Sequence, residues 1–212
     1  MIIGKIDYIN LLPFYVFLKK ELKDQEKKAL EFHKGVPSKI NRDFKKGRVE
    51  AAVISSVISK GFECSDFGIV AFKEVLSVLI CEGEDQEDSD SNTSNLLART
   101  LNLKGRVYIG DKALLKRSPK CKDLAALWYD RHRLPFVFAR FCYRKRAKKY
   151  KKLSNRFLKS RIKIPHYILS KYAKERGISK KEIKEYLNLI HYKIDGKSKK
   201  SLKKFLNLTK NL

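Results

Sequence analysis

The stretch Gly4-Lys5-Ile6-Asp7-Tyr8-Ile9-Asn10-Leu11-Leu12-Pro13-Phe14 reads as a buried strand that runs directly into a helix. Ile2, Ile3, Ile6, Tyr8 and Ile9 are β-branched or aromatic and suit a short interior strand, while Leu12, Phe14, Phe17, Leu18 and Leu22 fall at helical spacing. Pro13 fits the first helical turn, where its missing N–H costs nothing. Asn10 stands just ahead of it, with an amide that can both donate and accept. Ligands of open α/β sheets sit at the carboxyl ends of strands, which makes Asn10 a site candidate; the alternative is that it only caps the helix.

The arrangement repeats downstream. Ala29-Leu30-Glu31-Phe32-His33 alternates like a strand, and Gly35-Val36-Pro37-Ser38 then turns into a helix carrying Ile40 and Phe44, with Ser38 as its expected N-cap. His33 has no cysteine or histidine near it and reads as an ordinary strand residue rather than a ligand. Residues 49–57 form a third apolar strand that ends in the hydroxyls of Ser55 and Ser56. Strand, helix, strand, helix, strand implies a parallel sheet with right-handed crossovers, whose ligand edge brings Asn10 together with Ser55 or Ser56.

Residues 68–72 and 75–81 give an almost continuous strand signal, long enough to cross from one lobe to another and to leave Ser77 in the cleft between them. Leu134 to Cys142 is a second candidate crossing. One crossing out and one back are what a two-lobed clamshell requires. Between them, Glu82 to Asp90 reads as a flexible acidic surface loop without the ligand spacing or turn glycine of a calcium loop. Ser91-Asn92-Thr93-Ser94 opens an amphipathic helix, where unpaired N–H groups, Thr93 and Ser94 would either cradle a carboxylate or simply cap the helix. Arg106 to Asp111 is a strand closing on a Gly-Asp turn, and from Arg144 onward the chain is helical, with Gly177 as a C-cap and Ser179-Lys180-Lys181-Glu182 as a capping box. His191, beside Tyr192 at a helix end, reads as structural.

Composition narrows the classes. The 212 residues are 43% hydrophobic, enough for a real core in one domain or two small ones. The net charge of +26 is uneven: residues 1–100 carry −1 and residues 101–212 carry +27. Those cations are mainly lysines at helical spacing, with no helix-turn-helix, zinc-finger or aromatic RNA-binding pattern, so a solvated lysine face is favoured over nucleic-acid binding. A positive field also draws in small anions. No apolar run approaches the roughly 20 residues that span a bilayer, and the N-terminus lacks signal-peptide character, so a cytoplasmic protein is expected. Cys64, Cys81, Cys121 and Cys142 show neither CxxC spacing nor paired histidines. Reduced, mostly buried thiols are expected, with no disulfide framework and no metal site.

Several motifs in series resemble one family. Gly4-x-Ile6-x-Tyr8-Ile9-Asn10-x-Leu12-Pro13, Gly35-x-Pro37-x-x-Ile40-Asn41, Ile54-Ser55-Ser56, Val75-Leu76-Ser77-Val78, Asn92-Thr93-Ser94, Ile109-Gly110-Asp111-x-Ala113-Leu114 and Leu134-Pro135-Phe136-Val137-Phe138-Ala139 are similar, in order and spacing, to those of the MqnA family. Its members are the chorismate dehydratases of the futalosine route to menaquinone. The resemblance implies an α/β, two-lobed type II periplasmic-binding-protein-like fold with an interlobe cleft and a helical C-terminal tail. The implied division is 1–77 for the first part of lobe one, 78–139 for lobe two, and 140–212 for the return to lobe one. It implies conversion of chorismate to 3-[(1-carboxyvinyl)oxy]benzoate and water without a cofactor. Asn10 and Ser77 match the residues nearest the chemistry, and Ser55, Ser56, Thr93, Ser94 and Asp111 match substrate-binding positions. The acidic insertion before Ser91 is a departure from the family pattern. The sister family that makes 1,4-dihydroxy-6-naphthoate usually opens with a Pro-Asn-Asp-Thr type motif, absent here; a non-enzymatic anion binder of the same fold is the remaining alternative.

Overall fold

The structure is a computed structural model that describes residues 1–211. The opening stretch forms β1 (Ile3–Ile6), a 3-10 turn (Ile9–Leu11) and α1 (Leu12–Glu21), with Pro13 in the first turn as its chemistry favours. Next come α2 (Asp24–Phe32), β2 (Lys34–Gly35), α3 (Pro37–Lys45) and β3 (Ala51–Ser55). β1 pairs in parallel with both β2 and β3, which puts Asn10 and Ser55 at one sheet edge as the crossover pattern requires.

Two local expectations fail here. Residues 29–33 are not a strand, because they complete α2, whose start is fixed by the Lys23 N–H donating to Glu26 Oε2 at 3.1 Å. The alternation was misleading: Leu30 is buried, but Phe32 is 82% exposed and faces no sheet. Ser38 does not cap α3, since Pro37 already occupies the first turn and Val36 stands at the N-cap.

The long apolar run divides into β4 (Glu63–Ala71) and β5 (Val78–Cys81), which lie in different sheets. α4 (Asn92–Thr100), β6 (Arg106–Ile109), α5 (Asp111–Leu115), β7 (Cys121–Asp123), α6 (Leu124–His132) and β8 (Phe136–Tyr143) follow. The C-terminal part contains α7 (Ala147–Lys159), α8 (His166–Arg176), α9 (Lys180–Leu189), β9 (His191–Lys193) and α10 (Gly196–Leu208). The larger sheet runs β2-β1-β3-β8-β4-β9 and the smaller β6-β5-β7. β8 pairs antiparallel with β3 and β4 from Phe136 onward, so the chain has rejoined the larger sheet by that residue.

Packing explains why the tail belongs to the larger sheet. The Phe14 ring lies 4.6 Å from Phe67, 5.6 Å from Phe141 and 5.0 Å from Phe157, joining α1, β4, β8 and α7 in one aromatic cluster. All four rings are buried, each stabilising the fold by roughly 1.5–3 kcal/mol. Trp128 of α6 packs edge-on against Phe136 and Phe205, and its indole N–H donates to Ser201 Oγ at 3.0 Å.

The cysteines overturn their sequence reading: Cys64–Cys142 and Cys81–Cys121 are disulfides. Each pair occupies opposed positions on adjacent antiparallel strands, β4 with β8 and β5 with β7. Separations of 78 and 40 residues hide a juxtaposition that only strand pairing creates. The acidic segment is not a free loop throughout either. Asp88 is buried, accepting from the Ile109 N–H at 3.2 Å and pairing with Lys112 at 2.7 Å. Among the described residues no helix is long and apolar enough to cross a membrane.

Candidate active site

A cavity of about 70 Å³ lies between the two sheets. Its polar lining is Tyr8, Asn10, Ser55, Ser77, Ser91 and Ser94, set among Ile6, Val53, Ile69, Ile109 and Phe138. Four predicted site residues therefore meet in one hollow: Asn10, Ser55, Ser77 and Ser94. None of the lining residues is Asp, Glu, His, Lys, Arg or Cys. Burial raises the Tyr8 phenol above its usual range, with Asp90, Asp88 and Asp111 adding to the effect, so it stays neutral. Among the described residues no group of three or more His, Cys, Asp or Glu side chains is placed to hold a metal ion.

Each serine hydroxyl is held in a definite role. Asn41 of α3 donates its amide to Ser55 Oγ at 2.8 Å and accepts from the Ser55 N–H at 3.1 Å. Tyr186 of α9 donates to Ser77 Oγ at 2.8 Å, and Ser91 Oγ donates to Ser94 Oγ at 2.9 Å. A serine whose oxygen already accepts has its own proton free to donate. Three such protons, together with the positive dipole end of α4, make this hollow a receptor for negative charge.

Asn10 does not cap α1. Leu11 is the N-cap and makes no side-chain cap bond, while Asn10 Oδ1 is buried with no hydrogen-bond partner among the described residues. A buried amide oxygen without a partner costs about 1–3 kcal/mol, a cost typical of groups kept for a ligand. Its backbone is clamped instead, the Asn10 carbonyl accepting from Tyr192 Oη at 2.6 Å. Thr93 Oγ1 is likewise buried and unpartnered at the start of α4, although Thr93 is not part of the lining.

Two predicted residues are committed elsewhere. Ser56 Oγ donates to the Val137 carbonyl, tying β3 to β8. Asp111 accepts from the Ile9 N–H at 3.0 Å and from Arg176 Nε at 2.7 Å. Arg176 also meets Asp7 at 3.3 Å and stacks over Tyr172 at 4.4 Å. This network joins the β6–α5 corner to the end of β1. Burial raises the Asp111 carboxyl above its ordinary value despite the Ile9 N–H and Arg176.

Other supporting groups escaped the sequence reading. Asp123 accepts from the Val75 and Leu76 N–H groups at 2.8 and 2.7 Å while its other oxygen caps α6. That grip holds Leu76 at φ +59°, a strained left-handed conformation immediately before Ser77. Gly110, at φ +65°, faces Tyr8 so closely that an added Cβ would come within 2.5 Å of the ring. Only glycine lets Tyr8 close that side of the hollow.

The menaquinone-biosynthesis family matches residues 1–106 and 97–211. The chain belongs to that family. The chorismate dehydratase of Campylobacter jejuni subsp. jejuni serotype O:23/36 (strain 81-176) is 49% identical over 203 residues, covering 92% of this chain and 91% of that protein. Among solved structures, protein AF1704 from Archaeoglobus fulgidus superposes with a TM-score of 0.70 at 13% identity, covering 99% and 96% of the two chains. The periplasmic aliphatic sulphonate binding protein SsuA from Escherichia coli superposes at 0.50 and 11% identity, covering 98% and 86%. These likenesses place the family member in the periplasmic-binding-protein-like fold expected from its motifs, with a helical C-terminal tail.

Proposed function

We propose that the protein is a chorismate dehydratase acting in menaquinone biosynthesis, with the hollow between its sheets as the active site. The observation that carries the assignment beyond family membership is the lining: a receptor for a small dianion built from neutral donors. Chorismate has two carboxylates and a ring hydroxyl. The product is the aromatic ether 3-[(1-carboxyvinyl)oxy]benzoate, as in the futalosine route.

In the reaction, the ring carbon bearing the enolpyruvyl ether loses its proton. That C–H electron pair becomes the new ring double bond, and the C–O bond of the neighbouring hydroxyl breaks. The departing oxygen leaves as water. Aromaticity supplies the driving force, leaving the protein to orient the substrate, stabilise charge and exclude water. Because the hollow lacks an ionisable base, a substrate carboxylate takes the ring proton and returns it to the departing hydroxide. Asn10 holds that carboxylate, Ser77 donates to the leaving hydroxyl, and Ser55, Ser94 and the start of α4 take the other carboxylate.

The cavity is smaller than the roughly 300 Å³ typical of small-molecule sites. The lobes therefore part to admit chorismate, hinging at residues 72–77 and 133–135, and close around it. Incubation of the purified protein with chorismate, followed by mass spectrometry, tests the assignment. Formation of an aromatic ether lighter than chorismate by one water is expected; unchanged chorismate in the presence of active-looking folded protein sinks it.

A further inference from the structure

Tyr186 reaches the site from α9, 109 residues beyond Ser77 in sequence, and no charge relay or metal gives it an evident role. It is 2% exposed and Ser77 1%, and their hydroxyls are 2.8 Å apart. Ser77 is otherwise fixed through its backbone, its carbonyl accepting from the Gly110 N–H at 2.8 Å. The phenol is raised well above its ordinary value by burial, with Asp111 and Asp123 adding to the effect and Ser77 and Asn10 opposing it, so it remains a donor across all working pH. The phenol thus stands directly behind Ser77. α9 is itself held firmly, with Ser179 and Glu182 forming a reciprocal capping box and Ile183 fully buried.

We propose that Tyr186 is a positioning residue for the dehydration: by donating to Ser77 Oγ it turns the Ser77 proton into the hollow, toward the hydroxyl that leaves. Without it, the Ser77 hydroxyl is free to rotate and to donate back to its neighbours. A donor behind a donor also polarises it, so the Ser77 hydrogen bond strengthens as negative charge develops on the departing oxygen. The chain Tyr186–Ser77–leaving hydroxyl supplies general hydrogen-bond assistance without any protein group changing charge. The inference rests on the dehydratase reading.

The test is Tyr186→Phe, which keeps the ring and removes only the hydroxyl. A roughly 10- to 100-fold fall in kcat is expected, the size of one buried hydrogen bond, with KM changed by less than about threefold. Because Tyr186 acts through Ser77, adding Y186F to Ser77→Ala should lower kcat no further. A kcat for Y186F within about twofold of wild type overturns the proposal, as does a full additional loss in the S77A background. Tyr186→Ala with added p-cresol or toluene gives an independent reading, since both refill the ring volume and only p-cresol brings a hydroxyl. Recovery of turnover with p-cresol alone supports the role; equal recovery with toluene reduces Tyr186 to packing. Absence of turnover by the wild-type protein would sink the dehydratase reading and this inference together, whereas wild-type turnover with an unaffected Y186F sinks only the inference.

Discussion

Asn10 illustrates how a single residue can be located from sequence and still not understood. Its position at the end of a strand marks it, but spacing alone favours simple capping, and the fold instead puts Leu11 at the N-cap and leaves Asn10 Oδ1 buried without a partner among the described residues. Ser77 was legible for a similar reason, lying where an apolar run outgrew one strand. Tyr186 and Asn41 carry no local spacing signal for their roles, because their contacts span 109 and 14 residues. Asp111, matched to a substrate-binding position by the family resemblance, has both its oxygens engaged by the Ile9 N–H and Arg176 in this structure. Converting Asn10 to Ala should lower kcat on the order of 10²- to 10³-fold, as for loss of a preorganised charge-stabilising group, while leaving product affinity within a few fold. Steady-state kinetics and product titration check this, and unchanged turnover removes Asn10 from the mechanism. The pH dependence follows from the same lining. Tyr8 and Tyr186 both have raised phenol pKa values, so neither loses its proton below the ordinary tyrosine range near 10. The kcat profile should be flat between about pH 6 and 9. A bell with a limb near neutrality would point to a histidine or carboxyl base that this site lacks.

At the scale of elements, the parallel β1, β2, β3 arrangement, the capping box at α9 and the Gly177 terminus of α8 followed from local chemistry that the structure reproduces. What stayed hidden depended on partners. The alternation at residues 29–33 matched a strand only because no sheet was there to test it, and cross-strand cysteines become neighbours only after β4, β8, β5 and β7 pair. The segment between β4 and β5 is the most consequential case. Asp123 both starts α6 and holds Val75 and Leu76, so one side chain sets the helix and the backbone that presents Ser77. Asp123→Ala should cost about 2–4 kcal/mol, combining a lost cap with two unmade hydrogen bonds, and should lower kcat as Leu76 relaxes from its left-handed conformation. Thermal melting with parallel kinetics checks both effects. Asp123→Asn keeps one acceptor oxygen but turns its NH2 against the other pair of N–H donors, so it should recover only part of the stability; full recovery would contradict the hydrogen-bond account.

For the whole molecule, the Arg176–Asp111–Asp7 network joins the β6–α5 corner to the end of β1 beside the small hollow, and in the proposed hinged motion it belongs to the closed state. Arg176→Ala removes the charged part of the closure, so its ligand-free form should have a larger radius of gyration in small-angle scattering than wild type and a raised KM. Identical scattering and KM would show that Arg176 does not hold the lobes. The uneven charge, with +27 in residues 101–212, gives the approach of a dianionic substrate a favourable field, though the hollow itself binds with neutral groups. The most direct measurement is a crystal structure of the protein with 3-[(1-carboxyvinyl)oxy]benzoate bound. It should show the aromatic ring between the two sheets, with its carboxylates on Asn10, Ser55, Ser94 and the first turn of α4, and Ser77 facing the ring carbon that lost its hydroxyl. Product seated instead in the outer groove beside His191 and Tyr192, with the hollow between the sheets unchanged, would contradict the account.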